Sequence, residues 1–208
     1  NSTGIIGQRL DMRLVEMLIA SVAGDLRNDD TGITGAADAM RTTDAFSKIS
    51  TKTLEIHGKR VRITGIAKGA GMIAPRLSHA TMISVIMTDA YIPRGGIDAV
   101  LKEAVEKSFN MAVVDGDVST NDMVVLLANG RAGDAEANEA FQEALNQVCT
   151  ELAKMIVRDG EGATKLFTVE IKGAHSLEDA RKAARAVAGS TLVKTAMFAE
   201  NPNWGRVI

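Results

Sequence analysis

The sequence predicts an α/β fold (α+β layered), with β-structure packed against helices, and three observations predict it. Residues 82–87 and 123–128 are short apolar runs, the form taken by strands buried on both faces. Residues 53–63 alternate apolar and polar around His57-Gly58-Lys59, the pattern of a hairpin. Longer segments at 10–22, 97–108 and 134–157 carry apolar residues at helical spacing. Strands mixed with helices in this order give layers around one core. At 208 residues the chain suits one large domain or two small ones, with ample core.

In chain order, residues 2–7 read as a strand and turn. Leu10, Leu14, Met17, Leu18 and Val22 mark a helix face that Gly24 ends. Residues 29–37, rich in Asp, Thr and Gly, read as a loop. The hairpin follows, with Leu54 and Ile56 in one arm and Val61 and Ile63 in the other. Its second arm runs on to Lys68, then a glycine turn (Gly69, Gly71) and Pro75 precede the 82–87 strand. Gly95-Gly96 leads into a helix with Ile97, Val100, Leu101, Ala104 and Val105 inward. Residues 111–114 read as a short strand and 115–122 as a polar loop. The 123–128 strand comes next. The longest helix carries Phe141, Leu145, Val148, Leu152, Met155 and Ile156 on one stripe, with Cys149 beside it as packing. Phe167, Val169 and Ile171 alternate as a strand, and Ser176 with Asp179 caps an alanine-rich helix. Residues 192–198 read as a last strand.

Composition excludes several function classes. A net charge of −2, no basic block and 3% aromatics leave no footprint for nucleic acid or anionic lipid. No run approaches the length of a membrane span, so no membrane partner is expected. A single cysteine excludes an intrachain disulfide and points to a reducing compartment, hence the cytoplasm. The 115–122 loop resembles a calcium loop only superficially. Thr120 stands where such a loop needs glycine, and Leu126 where it needs glutamate. No metal is expected.

The chemistry centres on residues 68–90, KGAGMIAPRLSHATMISVIMTDA. Ala80-Thr81 is a small residue followed by a hydroxyl at the mouth of a buried strand, a place where a chain can cut itself. The threonine hydroxyl attacks the preceding carbonyl, an ester forms, and water releases a chain that begins at Thr81. A free α-amine has a pKa near 7.7–8.0 against about 10.4 for lysine, so Thr81 would then carry nucleophile and base in one residue. On residues alone, a loop feeding a core strand is the stronger reading. Thr3 with the unshielded N–H of Gly4 suits an oxyanion hole, or is a simple turn. Lys68 is a substrate-pairing ammonium beside the nucleophile or an exposed loop lysine. The glycines around Glu161 let backbone approach a ligand closely, or they form a turn with a solvated glutamate. His79 is read as a solvated loop residue rather than a base, and His57 as a solvated turn residue.

Seven segments in one order, STGIIG at 2–7, MRTTDAF at 40–46, GIAKGAGMIAP with ATM at 65–82, VDGDVSTND at 114–122, LLANG at 126–130, DGEGATK at 159–165 and NPNWGR at 201–206, resemble the self-cleaving ornithine acetyltransferases (glutamate N-acetyltransferases) of arginine biosynthesis. The family usually has fewer residues between the proline and ATM. Here Arg76, Leu77, Ser78 and His79 intervene, which bears on the efficiency of cleavage.

The resemblance implies β-sheets sandwiched with helices in a DmpA/ArgJ-like fold, with the nucleophile at the start of a central strand. It implies cleavage between Ala80 and Thr81, with residues 1–80 closing an α portion and 81–208 opening a β portion of a longer chain. Thr81 is then the catalytic nucleophile, Thr3 and Gly4 the oxyanion hole, and Thr42, Lys68 and Glu161 substrate contacts. For Thr42 the alternative is a strand-end hydroxyl bonding backbone. Acetyl moves from N-acetylornithine to glutamate through a threonyl ester without a cofactor, in an assembly of two α and two β pieces. Some relatives also take acetyl-CoA, and that donor stays open. Two rivals stay open too: a threonine-nucleophile amidase or aminopeptidase, and a non-enzymatic module whose 68–71 turn cradles an anion.

Overall fold

The computed structural model describes residues 7–75, 82–133 and 136–208. Its centre is the hairpin of β1 (Lys48–Ile56) and β2 (Lys59–Lys68), paired from Lys48↔Ala67 to Ile56↔Lys59. The two residues between them, His57 and Gly58, both take positive φ (49° and 72°), as a two-residue hairpin loop requires. β3 (Ile83–Thr88) runs antiparallel to β2, with Lys68 opposite Ile83. β4 (Met123–Ala128) runs parallel to β3, with Ile83 opposite Met123. The sheet order is β1-β2-β3-β4, so β3 is interior.

Parallel neighbours need a crossover. It is supplied by α3 (Ile97–Lys107), a 3-10 turn (Phe109–Met111) and the loop that follows. α4 (Glu139–Arg158) lies on β1 and β2 and brings Phe141, Leu145, Val148, Cys149, Leu152 and Ile156 against Val61, Ile63, Ala67 and Ile86. Gly65 lets the helix come this close. A Cβ there would stand 2.7 Å from Leu152 Cδ1 and 3.1 Å from Val148 Cγ1. Burial pushes the Cys149 thiol up to about 12, consistent with packing rather than chemistry. α1 (Met12–Ala23), α2 (Asp30–Met40), α5 (Leu177–Gly189) and α6 (Thr191–Phe198) complete the helices.

Both apolar runs form strands. The hairpin, α1, α3, α4 and the Ser176 cap agree with the sequence reading, and the layered α/β class holds. β4, however, is not buried on both faces, since of its residues only Leu126 is buried and Leu127 is 53% exposed. Four further details differ. The 29–37 stretch is not a loop but the start of α2: Asp29 Oδ1 accepts the N–H groups of Thr31 and Gly32 at 2.9 and 3.1 Å, so its polar residues cap a helix rather than break one. Residues 192–198 form α6 instead of a strand, capped by Ser190, whose Oγ accepts Val193 N–H at 3.3 Å. Residues 111–114 form no strand: Met111 closes a 3-10 turn, Ala112 is extended, and Val114 N–H is donated to Ile73 O at 2.6 Å. Residues 167–171 form no strand. α1 has the expected spacing, yet Leu14, Met17, Leu18 and Val22 are all exposed. No helix among the described residues is long and apolar enough to cross a membrane.

Candidate active site

Residues 68–75 leave the end of β2 and form a turn held from several sides. Gly69 takes φ 148°, which favours glycine. Its N–H is donated to Asp44 Oδ1 at 2.6 Å. Ala70 O accepts Glu161 N–H at 3.0 Å. Met72 N–H and Ile73 N–H go to the Asp115 carboxylate at 2.7 and 3.1 Å. Arg185 of α5 donates to Ala74 O and Pro75 O, both at 3.4 Å. Met72 holds a positive φ of 54°, unusual for a residue with a side chain.

Lys68, the last residue of β2, is not an exposed loop lysine. It is 6% exposed and stands opposite Ile83, at the entrance to β3. Glu161, in the loop after α4, is exposed and lies against the turn; a Cβ on Gly71 would be 2.9 Å from Glu161 Oε1. Thr42 follows α2, is exposed, and donates its N–H to Asp44 Oδ2 at 3.1 Å. The structure therefore gathers the stretches of Thr42, Lys68 and Glu161 around one glycine turn beside the mouth of β3. Thr3, Gly4, His79, Ala80 and Thr81 lie outside the described residues.

Two clusters here carry chemistry that the sequence reading did not single out. In the first, Lys48 Nζ is fully buried between Asp44 Oδ1 (2.7 Å) and Asp159 Oδ2 (2.6 Å). Burial acts to raise the Asp44 pKa, but the Gly69 N–H and the Lys48 ammonium outweigh it and hold the carboxyl below its ordinary value. In the second, Asp122 Oδ1 accepts the N–H of Met82, the residue after Thr81, while Oδ2 is buried without a partner among the described residues. Burial raises this carboxyl to about 7, against the opposing pull of Met82 N–H and of the Lys68 charge. Asp44, Asp159 and Asp122 all sit inside the quoted motifs. Lys48 left no trace, because Lys48, Ser50 and Lys52 break the apolar alternation of β1.

No group of three or more His, Cys, Asp or Glu side chains among the described residues could hold a metal ion. Asp115, first in the calcium-like loop, spends its oxygens on Met72, Ile73 and Asp117 N–H groups. The turn at 68–73 is likewise a poor anion cradle. Its Gly69, Met72 and Ile73 N–H groups already serve carboxylates.

A family model described as the ArgJ family matches residues 1–208. A protein named glutamate N-acetyltransferase from Methanocaldococcus jannaschii is 49% identical over 209 residues, covering 100% of this chain and 52% of that protein. The arginine biosynthesis bifunctional protein ArgJ of Symbiobacterium thermophilum is 50% identical over 213 residues, again covering 100% and 52%. The chain thus spans about half the length of the curated relatives it matches. Among solved structures, the arginine biosynthesis bifunctional protein ArgJ of Bacillus halodurans superposes with a TM-score of 0.55 at 44% identity, covering 57% of this chain and 59% of that one.

Proposed function

This chain belongs to the ArgJ family, and from that premise we propose that it carries the acetyl-transfer centre of a glutamate N-acetyltransferase in arginine biosynthesis. The observation that supports this best is the gathering of Lys68, Glu161 and the Thr42 stretch around the turn that leads to β3. Thr81 is joined to Met82 one residue before that strand.

Self-cleavage after Ala80 frees the Thr81 amine and separates residues 1–80 from 81–208. The Thr81 hydroxyl then attacks the acetyl carbonyl of N-acetylornithine, passing its proton to the α-amine. The tetrahedral oxyanion is met by Thr3 and the Gly4 N–H; losing one such donor typically costs about 3–4 kcal/mol. As the acetyl–nitrogen bond breaks, that proton goes to the leaving nitrogen of ornithine. Glutamate enters, and its α-amine takes the acetyl group from the threonyl ester. Lys68, buried at the end of β2, suits a substrate carboxylate, and the exposed Glu161 suits a substrate ammonium, each through a charge-assisted hydrogen bond. Threonine has few χ1 wells, so its hydroxyl stays aimed relative to its own amine.

In the assembled enzyme, two copies of each cleaved piece are expected. Acetyl-CoA is a second donor to be tested. The amidase rival differs only in the final acceptor. Incubating the full-length protein with N-acetylornithine, with and without glutamate, decides between them. Acetylglutamate formation supports transfer; free acetate alone under both conditions excludes it.

A further inference from the structure

The three stretches assigned to substrate binding are far apart in the chain, and one buried ammonium ties them together. We propose that Lys48 is a positioning residue for the acetyl-transfer site, fixing the Thr42, Lys68 and Glu161 stretches relative to one another through Asp44 and Asp159; this rests on the acyl-transfer reading above. Lys48 Nζ is 2.7 Å from Asp44 and 2.6 Å from Asp159, and the three side chains are 0–4% exposed. Asp44 uses both oxygens outward. Oδ1 takes Gly69 N–H at 2.6 Å, next to Lys68, and Oδ2 takes Thr42 N–H at 3.1 Å. Asp159 takes Ala45 N–H at 3.0 Å, caps the end of α4 and stands two residues before Glu161. The Phe46 ring lies 4.9 Å from the ammonium on a further side.

This arrangement is a poor device for stability alone. Burying three charges is costly in desolvation, and neutral replacements of similar volume are often no less stable. What the triad supplies is direction. Asp44 accepts backbone N–H groups of the Thr42 and Lys68 stretches, Asp159 accepts that of Ala45, and the shared cation fixes the two carboxylates against each other. Two carboxylates against one ammonium also leave a net negative charge. The N–H groups of Thr42, Ala45 and Gly69 stabilise it, so the charge and the backbone geometry are mutually dependent.

The test uses the full-length protein. The variant Lys48→Met/Asp44→Asn/Asp159→Asn removes all charge while keeping volume, and Asp159→Asn alone is a milder companion. KM and kcat for N-acetylornithine with glutamate are measured beside the melting temperature and the cleaved fraction. Positioning predicts that the triple variant melts near wild type, yet its KM rises about tenfold with kcat within about threefold. A KM within about twofold of wild type in that stable variant overturns the proposal. If the triple variant does not fold, Asp159→Asn decides when assayed well below its own melting temperature. There a KM rise of about fivefold supports the proposal and an unchanged KM overturns it. A wild-type protein that transfers no acetyl group counts against the acyl-transfer reading instead. In that case amide exchange at Thr42 and Gly69 tests the tether by itself, with faster exchange in Asp159→Asn expected and unchanged exchange overturning it.

Discussion

Asp122 shows how much one carboxyl can report. Its folded pKa of about 7 lies above the ordinary 3.8, so between those values the folded protein binds more protons than the unfolded chain. Stability therefore falls as pH rises from about 4 through about 7. Asp44 works in the opposite sense. Its depressed pKa contributes stability that is present above the ordinary value and lost as pH falls through the lower folded value. Asp122→Asn should thus flatten the decline of melting temperature between pH 5 and 8, leaving acid unfolding to Asp44 and its neighbours. A melting curve series across that range checks it, and an unchanged slope would exclude Asp122 as its source. Glu161 offers a second residue-level outcome. Glu161→Gln keeps the shape but removes the charge offered to a substrate ammonium, so KM for N-acetylornithine should rise about tenfold or more, with the melting temperature little changed because the side chain is exposed.

The elements depend on close approach at two glycines. A Cβ on Gly65 would press on Leu152 and Val148, both in the middle of α4. Gly65→Ala should lower stability by about 1–3 kcal/mol, seen in denaturant unfolding. A Cβ on Gly71 meets the far end of Glu161 instead, a flexible group able to move aside. Gly71→Ala should therefore leave stability nearly intact while raising KM, by displacing the carboxylate. This difference between core and site was only partly legible in the sequence. The apolar runs of β3 and β4, the turn at His57-Gly58 and the stripe of α4 were readable because local pattern and fold agree there. α2 was hidden because Asp29 and Thr31 look like loop residues until their bonds are seen to cap a helix. α6 was hidden because eight residues with Leu192, Val193 and Phe198 suit either period. The motifs singled out Thr42, Lys68 and Glu161, whose stretches the fold brings around one turn, but the Lys48 triad joins residues 111 apart, a pairing no local pattern encodes.

At the scale of the molecule, the fold brings an interior strand, a glycine turn and a charged loop to one place. The ArgJ family model matches the whole chain, and acetyl transfer is the chemistry proposed for that place. The central claim is that Thr81 becomes the first residue of a new chain and then carries the acetyl group. Amino-terminal sequencing of the purified full-length protein, alongside its Thr81→Ala variant, tests it most directly. The account predicts a fragment beginning Thr-Met-Ile-Ser in the wild type and one uncut chain, inactive in acetyl transfer, in the variant. A wild type that stays uncut yet transfers acetyl, or a variant that still cleaves, would contradict it.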